Sequence, residues 1–283
     1  MTKSFESLVS ECNRLQCKTS PSNSYMEKLF QVVASLATTV GKLGSAVLIF
    51  VAGMNDIVSV TECIEQLMVP GLVFKCFPVH SDIAFEDQMK VFDDVESNEV
   101  KIIIATNAAE SSVTLPDCDH VICLGLCKQI VYNKLSHRQM LLPTWISRAS
   151  STQRAGRTSR VRPGGRVYRM YTRECFTNYM LEFEPGEILR MPLDSVILML
   201  RQILPEGSVT SALLDCIEPP EIDTIGRSYE SLCQSRFITT ADETCEITEL
   251  GEFVTAVGLD LSLGSLMGLG IQFGVGAELI EVA

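Results

Sequence analysis

The feature that most constrains the fold is a set of short apolar runs, each ending abruptly in small or hydroxylic residues. Residues 45–53 read SAVLIFVAG, residues 101–114 read KIIIATNAAESSVT, and a third run at 74–79 precedes His80 and Ser81. Such runs, rich in β-branched residues, are typical of buried parallel strands. Open parallel sheets bind ligands beyond the carboxyl ends of their strands, so the polar residues after each run are the first candidates for a site.

Helical periodicity between these runs completes an α/β pattern. Residues 24–40 place apolar side chains at the spacing of one helical face. Strand and helix signals alternate as far as about residue 172, which predicts a doubly wound parallel sheet flanked by helices. From residue 187 the pattern is mostly helical, with a short β wing expected within 236–247. A length of 283 residues allows about two domains.

A dense group of arginines follows these strands. Seven arginines lie between Arg154 and Arg173 with no acidic residue among them. If residues 153–160 are helical, Arg154, Arg157 and Arg160 recur every three residues, and Gln153 shares a face with Arg157. The planar guanidinium fork suits phosphate oxygens and keeps its charge. The structural alternatives are a solvated basic helix or ion pairs with the acidic C-terminal part.

Charge is distributed unevenly along this acidic chain. The net charge is −12, and residues 176–260 contain 16 acidic and four basic residues, a difference of 12 that accounts for all of it. A protein that binds nucleic acid only by bulk electrostatics should be basic. Any nucleic-acid site must therefore be confined to one cleft.

The eleven cysteines lack the spacing of a metal site or a disulfide framework. There is no CxxC pair, and the three histidines are scattered at 80, 120 and 137. We therefore expect no metal site, and reduced structural thiols in an intracellular protein, cytoplasmic or nuclear.

Neither end of the chain predicts membrane insertion. Residues 1–23 are polar and lack the apolar core of a signal peptide. Residues 261–277 are uncharged but short for a span and interrupted by five glycines. Their two GxxxG patterns favour a close-packed soluble helix pair over the alternative of a membrane helix, so no membrane partner is expected.

Four segments, in order, resemble the conserved motifs of superfamily 2 helicases of the DEAH/RHA type. The likeness covers nearly the whole chain after about residue 45. The sequence SSVTLP at residues 111–116, together with Trp145, is similar to the spindle-E branch of the family. Residues 48–56 resemble motif IV, His80 and Ser81 with Gln88 and Phe92 resemble motif IVa, residues 105–114 resemble motif V and residues 153–160 resemble motif VI. Between motifs V and VI, residues 128–147 are similar to the family's β-hairpin.

The resemblance implies the second RecA-like domain of such a helicase and the regions after it. It predicts a lead-in at 1–23, a RecA-like domain at 24–180, a winged helix at 181–257 and the truncated start of a helical ratchet domain at 258–283. The sequence contains neither GxxxxGK(S/T) nor a DEAH box. In the family these belong to the first RecA-like domain, which holds most of the ATP and Mg²⁺. The implied partners are that domain, single-stranded RNA and a possible protein activator.

The resemblance also implies roles for the residues of motif VI. Arg157 and Arg160 would be arginine fingers that reach the γ-phosphate across an open, solvent-filled cleft, and would contribute little to folding. Gln153 would contact the same phosphate or its attacking water. Ser112 of motif V would sense the nucleotide state. Arg154 has an alternative role, an internal pair with a carboxylate.

A second group of residues is implied to contact RNA. Thr106 and Asn107 would hold RNA phosphates, and Gly53 and Ser81 would add contacts through the backbone, which position the strand without reading its sequence. The structural alternative is that the Ser and Thr residues of motif V cap the following helix.

The sequence departs from the family pattern at two positions. Pro116 stands where many members have Asp, with Asp117 one place later, and Ser159 stands where Gly is common. The function predicted for the full-length parent is an ATP-dependent RNA helicase. A non-catalytic adaptor that binds RNA or protein is the alternative.

Overall fold

A five-stranded parallel sheet organises the first part of the chain. The computed structural model describes residues 23–111, 115, 117–133, 138–159 and 163–275. The sheet order is β2-β3-β1-β4-β7, with every neighbouring pair parallel. The strands are β1 Ala46–Phe50, β2 Val73–Val79, β3 Glu99–Ala105, β4 Cys118–Cys123 and β7 Arg166–Arg169, and β5 Leu126–Asn133 pairs separately with β6 Arg138–Trp145.

Helices cover the sheet, and the predicted doubly wound α/β topology is confirmed. Val47 and Ile49 of β1 point into one apolar cluster with the first two helices, whereas Leu48 and Phe50 point into another on the opposite face. This alternation follows from the two-residue period of a strand. The helices of this part are α1 Asn23–Val40, α2 Met54–Glu65, α3 Phe85–Met89 followed by a 3-10 turn Lys90–Phe92, α4 Ala108–Ser111, α5 Arg148–Ala155 and a π-helical turn Cys175–Tyr179.

The rest of the described chain is mainly helical. Its apolar core includes Leu193, Ile197, Tyr229 and Leu232. The predicted wing is reduced to a single antiparallel bridge between Ile238 and Ile247. The elements are a 3-10 turn Glu187–Leu189, α6 Asp194–Ile203, α7 Val209–Leu214, α8 Ile222–Gln234, α9 Glu249–Val257 and α10 Leu261–Gln272.

The glycine-rich helix α10 packs closely on α9. A methyl group on Gly264 would lie 2.8 Å from Val254, and one on Gly268 would lie 2.5 Å from Leu250. Only glycine allows α10 to approach α9 this closely, which agrees with the predicted helix pair. Within the described ranges, no helix has both the length and the apolar character needed to cross a membrane.

The chain divides into two compact units. One contains Met1–Gln129 and Leu141–Glu184, and the other contains Ile130–Met140 and Pro185–Ala283. The domain limits drawn from the sequence remain predictions. Each of the nine cysteines in the described residues is a free thiol, and burial raises the pKa of Cys76 and of Cys118 to about 12, which leaves both protonated.

Candidate functional site

The carboxyl ends of the central strands form one edge of the first unit. Val79 pairs with Ala105, Ala105 with Phe50, and Phe50 with Cys123, so the ends of β2, β3, β1 and β4 are aligned. The backbone continues the alignment for one more residue, because Thr106 N donates to Val79 O at 3.2 Å. The segments that follow these strands therefore emerge beside one another.

The structure brings the four candidate RNA-binding residues to this edge. Ser81 follows β2, Thr106 and Asn107 follow β3, and Gly53 lies just after β1, at the start of α2. Ser81 and Asn107 are exposed, whereas Thr106 is only 4% exposed and Gly53 is buried. Asn107 can thus offer its side chain to a ligand, and Gly53 can offer only its backbone. Their contacts with RNA remain predictions.

A lysine that sequence reasoning did not select lies over Gly53. A methyl group at Gly53 would come within 2.7–2.9 Å of Cδ, Cε and Nζ of Lys128, so the lysine stem packs directly on the glycine. Burial raises the pKa of the Asp56 carboxyl, while the amide of Ala52 and the charge of Lys128 oppose this shift. Lys128 is therefore a basic group held at the same edge. The available signal was a single lysine immediately after the apolar run 121–127.

Motif VI is only partly helical, so the helical arrangement considered for residues 153–160 extends no further than Ala155. Helix α5 begins after Ser147, whose hydroxyl accepts from Ser150 N at 3.0 Å, and it ends at Ala155 with Gly156 as the capping residue. Ser159 has φ +60°, in the left-handed region that no helix of L-residues continues through. As a result Gln153 is exposed while Arg157 is buried, and the two do not share one face.

The turn after α5 holds Ser159 in a backbone conformation that favours glycine. A left-handed φ favours glycine, and serine tolerates it here because its hydroxyl accepts from Gly165 N at 2.8 Å. Thr158 Oγ1 lies within 2.9 Å of the carbonyl oxygens of Cys118 and Asp119. The turn is thus fixed to the start of β4 and to the residues before β7.

Arg154 forms an internal network, as the alternative role predicted, but its partner is Glu110 of motif V. The Arg154 side chain is fully buried, and its Nε donates to Glu110 Oε2 at 3.1 Å. Its Nη1 donates to Leu126 O at 3.2 Å, and its guanidinium lies 4.9 Å from the centre of the Phe50 ring. Burial alone lowers the pKa of Arg154, but Cys123 and Glu110 raise it overall, so the charge is retained.

The expectation that Arg157 extends into open solvent is wrong for this unit. The residue is only 6% exposed, so its guanidinium does not project freely into solvent. Two other candidates, Arg160 and Ser112, lie outside the described residues. Gln153 is at the surface, where its Nε2 donates to Glu110 O at 3.1 Å.

Asp117 lies at the opposite edge of the sheet from the candidate RNA residues. It immediately precedes β4, and its carboxylate is 3.2 Å from Nζ of Lys101, near the amino end of β3. This carboxylate therefore belongs to a structural ion pair. Among the described residues, no three His, Cys, Asp or Glu side chains are grouped in a way that could hold a metal ion.

Comparison with known proteins identifies the class of protein that this sheet and site represent. Residues 27–162 match the family described as the helicase conserved C-terminal domain. The DExH-box ATP-dependent RNA helicase DExH3 of Arabidopsis thaliana is 33% identical over 82% of this chain and 19% of its own length. The ATP-dependent RNA helicase TDRD9 of Danio rerio is 34% identical over 87% of this chain and 18% of its length.

Two further relatives support the same class. The probable ATP-dependent RNA helicase spindle-E of Drosophila willistoni is 34% identical over 86% of this chain and 17% of its own length. The crystal structure of the E. coli DExH-box NTPase HrpB matches with a TM-score of 0.70 at 20% identity, over 88% of this chain and 29% of that chain, which shows a shared fold.

The chain therefore belongs to the DExH/DEAH-box helicases, in which it represents the RecA-like helicase C-terminal domain and the region that follows it. It spans about a fifth of the length of the curated relatives named above. Relatives inside and outside the spindle-E branch are equally similar, so the branch remains a prediction.

Proposed function

We propose that this chain supplies one half of the ATP and RNA sites of an ATP-dependent RNA helicase. The carrying observation is the alignment of Ser81, Thr106, Asn107 and Gly53 at one sheet edge, with motif VI attached to motif V by hydrogen bonds to Glu110. The names of the relatives, which are ATP-dependent RNA helicases, support the proposal.

The chemistry of this edge suits phosphates. Hydroxyl, amide and backbone donors at Ser81, Asn107 and Gly53 would hold RNA phosphates, which fixes the position of the strand with little base readout. Arg157, with Arg160 and Gln153, would stabilise the charge that develops on the transferred phosphoryl group. Ser112 would report the nucleotide state.

ATP and Mg²⁺ would be held mainly by a first RecA-like domain. The donors near motif VI are guanidinium and amide groups, which suit the γ-phosphate and not a cation. ATP-driven opening and closing of the two RecA-like domains would move the protein along single-stranded RNA or remodel it. A protein activator acting on this cycle is part of the proposal.

We expect that this chain alone does not hydrolyse ATP, whereas the full-length protein does so faster with RNA. The reason is that the sequence lacks GxxxxGK(S/T) and a DEAH box. Steady-state ATPase assays of both proteins, with and without single-stranded RNA, test this. A full-length protein that binds RNA but shows no ATPase activity would instead support the non-catalytic adaptor.

Lys128 provides a test of the proposed RNA site at the carboxyl ends of the strands. We expect Lys128→Met to weaken single-stranded RNA binding by the full-length protein several-fold and to lower the salt slope by about 0.7, because one phosphate contact is lost while the stem packing is kept. Fluorescence anisotropy over a range of salt concentrations measures both quantities. Lys75→Met is the matched control, since Lys75 is paired with Glu99 near the amino end of β2. Equal effects of the two variants would contradict a site at this edge.

A further inference from the structure

Glu110 joins motif V to the helix that carries motif VI. It lies on the four-residue helix α4, and α5 reaches it through three side chains. Arg154 Nε donates to Glu110 Oε2 at 3.1 Å, Ser150 Oγ donates to Glu110 Oε1, and Gln153 Nε2 donates to Glu110 O at 3.1 Å. One residue of motif V therefore binds three residues of the helix that carries motif VI.

The short helix also ties Glu110 to the candidate RNA residues. Ala109 N donates to Thr106 O at 3.2 Å, and Glu110 N donates to Asn107 O at 2.9 Å. These bonds close single turns, so Asn107 and Glu110 cannot shift far relative to each other. A displacement of Thr106 and Asn107 would therefore be carried to the carboxylate of Glu110.

The other end of the link is anchored in the sheet. Arg154 is fully buried, with its guanidinium against the ring of Phe50 and bonded to the carbonyl of Leu126. Of the three α5 residues, Gln153 is the exposed one, and it lies four positions before Arg157. The Glu110 contacts thus set where the end of α5 and the turn with Arg157 lie relative to motif V.

We propose that Glu110 is a positioning residue that couples RNA contact at Thr106 and Asn107 to the placement of Gln153 and Arg157 at the ATP site. This inference rests on the proposed function. The inference adds to the proposed ATP and RNA sites the carboxylate of Glu110 and the side chains of Ser150 and Arg154 that donate hydrogen bonds to it. Glu110 touches neither ligand in this account and acts through α5.

The test compares Glu110→Gln with the unaltered full-length protein. Glutamine keeps the size of the side chain but removes the charge that pairs with Arg154. We expect the stimulation of ATPase activity by single-stranded RNA to fall by about 5-fold or more, the usual range for a lost coupling between sites. Nucleotide-free RNA affinity should stay within about 3-fold of the unaltered value, since the residues proposed to contact RNA are unchanged.

Lys101→Met is the matched control. It breaks another buried ion pair of the same sheet, the one with Asp117, whose two residues lie on neither α4 nor α5. We expect it to lower the melting temperature and to keep RNA stimulation normal. Amide hydrogen exchange of the chain itself adds a readout without ATP, in which Glu110→Gln should speed exchange across α5, residues 148–155, and Lys101→Met should not.

The outcomes separate the inference from the proposed function. An unaltered protein that shows no RNA-stimulated turnover contradicts the proposed function. If the unaltered protein is stimulated and Glu110→Gln is stimulated equally, only the coupling role of Glu110 is wrong. A parallel fall in RNA-free and RNA-stimulated turnover, or unchanged exchange across α5, would also overturn that role.

Discussion

Replacing Arg154 with alanine is expected to lower the free energy of unfolding of this chain by about 3–5 kcal/mol, because it leaves a largely buried Glu110 carboxylate without its cation. The Arg154 side chain is fully buried, and that of Glu110 is 14% exposed. The packing of the guanidinium on Phe50 is lost as well. Urea titration, monitored by circular dichroism, measures the change.

The double variant Glu110→Leu with Arg154→Met is the matched control for this effect. It removes both charges and fills similar volume, so it should recover much of the lost stability. Arg154→Lys keeps the charge but loses the planar fork, and we expect an intermediate loss. If Arg154→Ala costs less than about 1 kcal/mol, the value typical of an exposed pair, the buried network is not as the structure places it.

Replacing Arg157 with alanine in the full-length protein is expected to lower kcat for ATP by a factor of about 10² or more, through lost stabilisation of transition-state charge. The burial of Arg157 means that this substitution should also lower the stability of the fold. Because the side chain is only 6% exposed, its loss should also cost about 1–3 kcal/mol of stability. Arg157→Lys should restore turnover poorly, since a point charge does not reproduce the guanidinium fork.

The two effects of Arg157→Ala are separated by a variant that loses stability alone. Val60 is fully buried in α2, and Val60→Ala should cost about 2 kcal/mol without removing any donor near motif VI. Both variants are assayed well below their melting temperatures. A kcat of Arg157→Ala equal to that of Val60→Ala would show that Arg157 serves the fold and is not an arginine finger. Arg160→Ala, measured in the same way, tests the second candidate.

Much of the first unit could be predicted from local sequence. The runs containing Leu48 and Ile103 are β-branched and aliphatic, and they became central strands because such residues are buried on both faces of a parallel sheet. The helix predicted at 24–40 is observed as Asn23–Val40 for a similar reason, its apolar spacing. The motif order predicted the family, and the comparisons confirm it.

The details of motif VI could not be predicted in the same way. The three-residue spacing of Arg154 and Arg157 suggested a continuous helix, but a capping Gly156 and a left-handed Ser159 end it. Lys128 was missed because its neighbour at the edge, Gly53, is far away in sequence. Periodicity reports which residues share a face of one element, and it carries no information about contacts between distant elements.

The sequence by itself determined the parallel sheet, the place of the polar loops at its carboxyl edge and the helicase family, because strand propensity and motif order are local properties. Only the tertiary structure decided that Arg154 is a structural arginine. Glu110, which is 44 residues before Arg154, is brought to it by the alignment of β3 and β4 with β1. A buried guanidinium requires a charged partner, and the fold supplies that partner to Arg154.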